Sequence, residues 1–320
     1  MHHKPIIIVP GQPDSIFFEI FFKSLSIKKI KSPIILICCK DQFKFNAKKY
    51  KFNKSVNFIY SINKKKNLLS NSIYIIDIKL KKNKLKKIQL EYNKEYINRC
   101  FRESFKLLKK KITHKFLNGP INKKKFLGKN YLGITEYISA YFNQKKTGML
   151  IYNDKLSVCP LTTHLPIKLM PKKITKLAIQ DKLKIINNFY INKLNFKPKI
   201  GVTGLNPHCE SISKFNEDEK IIAPAIKFSR KKAISVSGPH PADTIFLKQN
   251  RKKFDVILGM YHDQVLTPLK TLYEYDAINI TMGLPFIRVS PDHGPNEKMV
   301  NKNLSNPISL YKSLEFLDKN

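Results

Sequence analysis

Val256-Ile257-Leu258-Gly259-Met260-Tyr261-His262-Asp263-Gln264 is the stretch whose reading decides the fold. Residues 256–260 form an apolar run without polar alternation, and polar groups then follow at once. Such a run suits a strand buried on both faces, the usual state of strands in a parallel sheet. The same reading applies to residues 6–9, 34–39, 73–76, 158–162, 200–203 and 277–282. Helical spacing lies between these runs. Residues 92–111 place Tyr96, Ile97, Cys100, Phe101, Phe105 and Leu108 at steps of 1, 3 or 4. Residues 179–190 read similarly, as do residues 217–228, where Pro224 marks a kink or split. Strands alternating with helices predict an α/β fold with largely parallel sheets.

A length of 320 residues exceeds most single cores, so two lobes are expected. The break is read near residue 130, between Gly128 and Gly133. The formal net charge of +37 invites a nucleic-acid reading. The basic residues are spread along the chain, as at Lys64-Lys65-Lys66 and Lys123-Lys124-Lys125. Lys is abundant together with Ile and Asn, the mixture an A+T-rich coding sequence yields. No zinc-finger pattern and no basic region leading into heptads is present, which argues against a nucleic-acid partner. A basic binding protein without catalysis stands as the non-enzyme alternative. The five cysteines form no CxxC and their odd count opposes a disulfide framework, so a reducing cytoplasm is expected. Cys38 and Cys39 read as core residues. No apolar run is long enough for a membrane span, and residues 1–4 do not resemble a signal peptide.

Three histidines share one context. His164 follows the run at 158–161, His208 follows 200–203 in Gly204-Leu205-Asn206-Pro207-His208, and His262 follows 256–258. Ligands bind beyond the carboxyl ends of strands in open α/β sheets. A lone histidine there is usually a loop hydrogen-bonder, whereas three in one context can converge on a metal. Imidazole suits Zn, Co or Ni, and three protein ligands leave positions open for substrate. Cys209 reads either as a soft ligand or as a buried neighbour. Asp263 can orient His262 or take a proton. Asp243 reads as a site residue or a helix N-cap. Asp292-His293-Gly294 reads either as a loop turn or as a segment close to the site. Lys270, Arg288 and the loop Asn118-Gly119-Pro120 are candidate anion binders. Neither a GxGxxG nor a Walker A motif occurs, so a Rossmann-type cofactor site is unsupported.

Taken together, IIIVPGQP (6–13), NGPINK (118–123), TTHLP (162–166), GLNPH (204–208), GPHPADTIF (238–246), MYHDQVLTPLK (260–270), NITMGLPFIR (279–288) and DHG (292–294) resemble the 4-hydroxythreonine-4-phosphate dehydrogenase family of pyridoxal 5′-phosphate synthesis. They stand in the family's order. The resemblance implies a two-lobed fold like the isocitrate and isopropylmalate dehydrogenases, with the site in the interdomain cleft. Its lobes fall on residues 1–130 plus 285–320 and on residues 131–284. It implies a homodimer with each site at the subunit interface. One divalent metal per subunit (Zn, Mg or Co) falls on His164, His208 and His262, and substrate contacts fall on Thr135, Lys270, Asn279 and Arg288. Asp243 and Asp263 are the candidate proton acceptors. The implied reaction is NAD- or NADP-dependent oxidation of 4-phosphooxy-L-threonine, then decarboxylation to 3-amino-2-oxopropyl phosphate. The chain departs from the family at Ile134, where a substrate-binding histidine precedes the threonine. It also departs at residues 12–17 and 210–213, where glycines are replaced. These departures imply either a drifted chain, the lost glycines fitting the non-catalytic alternative, or a shifted substrate site, Ile134 fitting another four-carbon phosphorylated acid such as threonate or erythronate phosphate.

Overall fold

A computed structural model describes residues 3–63, 67–127, 131, 133–212 and 215–320. Lys64, Lys65, Lys66, Gly128, Ser213 and the expected break at residue 130 lie outside the described residues. Two compact units form, Met1–Ile138 with Pro285–Asn320 and Ser139–Leu284. The strands are β1 (Ile6–Val9), β2 (Ile34–Cys38), β3 (Val56–Ile59), β4 (Ile73–Asp77), β5 (Lys115–Asn118) and β6 (Gly148–Tyr152). Then come β7 (Ser157–Thr162), β8 (Ile200–Thr203), β9 (Val236–His240), β10 (Val256–Tyr261), β11 (Ile278–Met282) and β12 (Ile287–Pro291). The helices are α1 (Phe17–Ile27), α2 (Lys40–Lys49), α3 (Lys86–Lys109), α4 (Lys123–Leu127) and α5 (Ile134–Tyr141). They continue with α6 (Lys176–Leu194), α7 (Ala223–Lys231), α8 (Lys248–Arg251), α9 (His262–Tyr273) and α10 (Ile308–Lys319).

In the first unit the strands run β3-β4-β2-β1-β5-β12, with every pairing parallel. β1 and β2 are buried along their whole length, as unbroken apolar runs require. Each aliphatic side chain so buried contributes roughly 1.5–3 kcal/mol. The stripe predicted on α3 is buried, and the helix packs on β1 and β2. α1 buries Phe17, Phe21 and Phe22, and the Phe22 ring stacks on Phe52 at 4.5 Å.

The second unit orders its strands β11-β6-β7-β10-β8-β9. β6 is antiparallel to both neighbours, and the remaining pairs are parallel. α6 starts where Thr175 Oγ1 accepts the Ala178 N–H at 3.1 Å, and buries Ile179, Leu183, Ile186, Phe189 and Tyr190. The helix predicted over 217–228 is split at Pro224. Asp218–Ile222 forms a π turn, and α7 follows with the proline in its first turn, where a missing N–H costs nothing.

Five strands escaped the periodicity reading. β3 is an edge strand with exposed Asn57 and Phe58. β5 opens on Lys115, buried and hydrogen-bonded to Ser32 Oγ at 3.4 Å. β9 contains Gly238 and Pro239, which a sheet tolerates at its edge. β12 carries Arg288 and Ser290 inward. β6 is apolar but pairs antiparallel. Cys38 and Cys39 are buried, as expected. Among the described residues no helix is long and apolar enough to cross a membrane.

Candidate functional site

β7, β10 and β8 are adjacent and parallel, so their carboxyl ends share one edge of the second unit's sheet. His262 directly follows β10, His164 lies two residues beyond β7, and His208 lies five beyond β8. Residues separated in sequence thus leave the sheet from strands about 4.8 Å apart. The His164 and His262 rings stand 5.9 Å apart, centre to centre. Two imidazoles sharing one cation at about 2 Å each have ring centres roughly 5–6 Å apart. His262 Nδ1–H donates to Asp263 Oδ1 at 2.7 Å. That contact sets the tautomer that leaves Nε2 to a cation.

His164 and His208 both adopt left-handed backbone angles, with φ of 55° each, and Cys209 follows at 63°. Such angles cost about 1–3 kcal/mol in non-glycine residues and gather at functional sites. Among the described residues no three His, Cys, Asp or Glu side chains are gathered at ligand spacing. His208, on the loop after the adjoining strand, is exposed. The donor chemistry nonetheless fits a divalent cation: two imidazoles at compatible spacing, one oriented by a carboxylate, and a third on the adjoining strand end.

Several polar side chains that the sequence reading missed build this edge. Thr162 Oγ1 donates to Met260 O at 2.9 Å, tying β7 to β10. The Gln264 amide ties β10 to β8 through Met260 N–H, Thr203 and Gly204 O. Asp218, 1% exposed, accepts the backbone N–H groups of Leu205 (2.7 Å) and Asn206 (3.1 Å) and the Asn206 amide (2.9 Å). Gly204 permits this closeness, because a Cβ there would fall 2.6 Å from both Asp218 Oδ1 and Cys209 Sγ. Burial, then the Asp218 charge, push the Cys209 thiol up to about 11, so it is neutral at pH 7. His240, at the end of β9, was also missed. Its Nε2 lies 2.8 Å from Ser237 Oγ, and burial, then Arg230 and Lys253, hold its pKa below the usual imidazole value. Gln264 could have been found from its place beside His262, whereas nothing local marks Asp218.

Lys270 lies on α9 eight residues after His262, on the same helix face and about 12 Å further along the axis. Asn279 lies on β11 opposite Ile151, and its Oδ1 is buried with no hydrogen-bond partner among the described residues. Buried acceptors are normally paired, so this atom suits a ligand donor. Asp243 is not a helix N-cap. It sits exposed in a turn, and α8 begins five residues later behind Leu247. Its negative charge does reach Cys209, beside His208.

In the first unit Arg288 is 1% exposed on β12, and its Nε donates to Asn118 Oδ1 at 2.8 Å. Two predicted anion-binding elements are thereby joined. Burial pushes the guanidinium down to about 10 and the Glu136 charge opposes that shift, so it remains cationic at pH 7. Thr135 is the second residue of α5, half-buried after Ile134. Asp292 and His293 lie in the loop after β12, where Asp292 N–H donates to Ser309 Oγ at 2.9 Å.

These units define the largely parallel α/β class shared with β-decarboxylating dehydrogenases. One solved example, from Thermococcus kodakarensis, matches with a TM-score of 0.51 at 11% identity, covering 97% of this chain and 81% of that one; this likeness concerns the fold alone. The family model "Pyridoxal phosphate biosynthetic protein PdxA" matches residues 29–317, and the chain belongs to that family. A 4-hydroxythreonine-4-phosphate dehydrogenase of Sulfurihydrogenibium sp. (strain YO3AOP1) is 41% identical over 200 residues, 61% of this chain and 62% of that protein. The chain therefore spans less than two thirds of that relative. The D-threonate 4-phosphate dehydrogenase of Salmonella typhimurium is 32% identical over 302 residues, 92% of each chain. A crystal structure of 4-hydroxythreonine-4-phosphate dehydrogenase from Klebsiella pneumoniae matches with a TM-score of 0.82 at 27% identity, covering 98% of both chains.

Proposed function

We propose that the chain is a metal- and nicotinamide-dependent dehydrogenase that oxidises the secondary hydroxyl of 4-phosphooxy-L-threonine, with decarboxylation of the resulting β-keto acid to 3-amino-2-oxopropyl phosphate. The observation that carries this reading is the set of three histidines leaving three adjacent parallel strand ends, two with rings 5.9 Å apart. His164, His208 and His262 are the residues that would hold the cation. When bound, the cation acidifies the substrate hydroxyl and NAD (or NADP) takes the hydride. Asp263 keeps the His262 ring oriented. With that carboxylate engaged, Asp243 is the acceptor for the hydroxyl proton. Lys270 and Arg288 supply positive charge to the phosphate and carboxylate, while Thr135 and Asn279 supply polar contacts to the remainder. NADH formation from 4-phosphooxy-L-threonine with Zn, Mg or Co tests the reading. No turnover by folded protein with any of the three would refute it.

Ile134 favours a second substrate. An isoleucine cannot offer the hydrogen bond that the family's histidine gives, and the relative matching over 92% of both chains acts on D-threonate 4-phosphate. Comparing kcat/KM for the two acids separates the readings. The protein acts as a homodimer in the cytoplasm. Support for the dimer comes from Leu165, Ile167, Leu169 and Leu177, apolar side chains that remain exposed in the segment after His164. The five free cysteines accord with a reducing compartment.

A further inference from the structure

We infer that Gln264 is a positioning residue, which sets the spacing of the His208 and His262 loops so that one divalent cation can bind both. This rests on the metal reading above. The Gln264 side chain is one planar amide with three partners. Its Oε1 accepts the Met260 N–H at 2.7 Å and the Thr203 hydroxyl at 2.8 Å. Its Nε2 donates to Gly204 O at 2.8 Å. Met260 ends two residues before His262. Thr203 closes β8, and Gly204 opens the loop to His208.

The amide offers acceptor and donor on one rigid plane; a carboxylate lacks the donor, and a thioether lacks a useful version of either. Space for it is built in. A Cβ on Gly259 would fall 3.2 Å from Gln264 Oε1 and 2.3 Å from Val265 Cγ1. The tie extends on both sides. Thr162 reaches Met260 O from the His164 strand, and Asp218 pins Leu205 and Asn206 from below. The His208 loop is thus held at residues 204, 205 and 206, and Gln264 bonds both the β8 and the β10 ends. A mere cap would need only the Met260 N–H. The bonds to Thr203 and Gly204 join two ligand loops, and that is what a spacing element requires.

The test is titration of purified protein with Co2+ alone, read by calorimetry and by the visible absorption of the bound ion. Wild type, Gln264→Met and Gln264→Glu are compared, with circular dichroism and Tm alongside. Gln264→Met is expected to bind Co2+ about 10–100-fold more weakly with altered bands, as loss of a supporting contact around metal ligands does. Gln264→Glu keeps both acceptor bonds and loses the donor to Gly204 O, so a smaller weakening is expected. It carries the test if the methionine variant fails to fold. A folded variant with wild-type affinity and spectrum overturns the inference. His262→Ala separates the two claims. If it binds Co2+ as wild type does, the metal reading falls and this inference with it. If only His262→Ala is impaired, the metal site stands and the role of Gln264 is refuted.

Discussion

Arg288 Nε donates to Asn118 Oδ1 at 2.8 Å, with both side chains buried. A guanidinium withdrawn from water depends on each acceptor it keeps. Asn118→Ala removes one of them and is expected to lower unfolding free energy by roughly 1.5–3 kcal/mol, the value of a hydrogen bond to a charged group. Urea denaturation measures this, and an unchanged midpoint would contradict it.

Asp218 holds the loop to His208 through two backbone N–H groups and one side-chain amide. Asp218→Asn replaces an oxygen acceptor by a donor facing those N–H groups. A cost of about 1–3 kcal/mol follows from leaving buried donors unpaired. Hydrogen exchange should accelerate at Leu205 and Asn206 before it does elsewhere.

His240 has a lowered pKa in the folded chain, so its neutral form is favoured there by burial and by the facing cations Arg230 and Lys253. The unfolded chain binds the proton more readily. That stability is present above the unfolded value, about 6.5, and is lost as pH falls from there through the folded value. His240→Gln should therefore show a shallower fall in Tm than wild type on acidification below pH about 6.5. Parallel slopes would remove His240 as the cause.

Ile134 gives a substrate test independent of the metal. Ile134→His restores a polar group before Thr135 and is expected to raise kcat/KM for 4-phosphooxy-L-threonine relative to threonate 4-phosphate. A change of roughly 5- to 100-fold corresponds to about 1–3 kcal/mol. No change in that ratio would show that residue 134 does not meet the substrate.

Ile167 is 73% exposed close after His164. If this apolar segment is covered by a second copy of the chain, Ile167→Glu should shift the mass in sedimentation from dimer to monomer. A mass unaltered by the change would place the dimer contact elsewhere.

The parallel α/β character was legible in the sequence because strands buried on both faces must be apolar throughout. β1, β8 and β10 could be read from composition alone. Strands whose polar content is paid by a neighbour were not legible: Lys115 by Ser32 in β5, Arg288 by Asn118 in β12. The positions of His164, His208 and His262 after apolar runs were also visible in the chain. What the chain could not state is the order of those runs. Only the tertiary fold places β10 between β7 and β8, because strand order is fixed by how helices cover the sheet and not by local spacing. Asp218 and Gln264 belong to that second kind of information. A hydrogen bond from residue 205 to residue 218, or from 264 to 204, exists only when the sheet has brought those loops together. The sequence determined which side chains can carry the chemistry, and tertiary packing decided which of them share an edge and what holds them there.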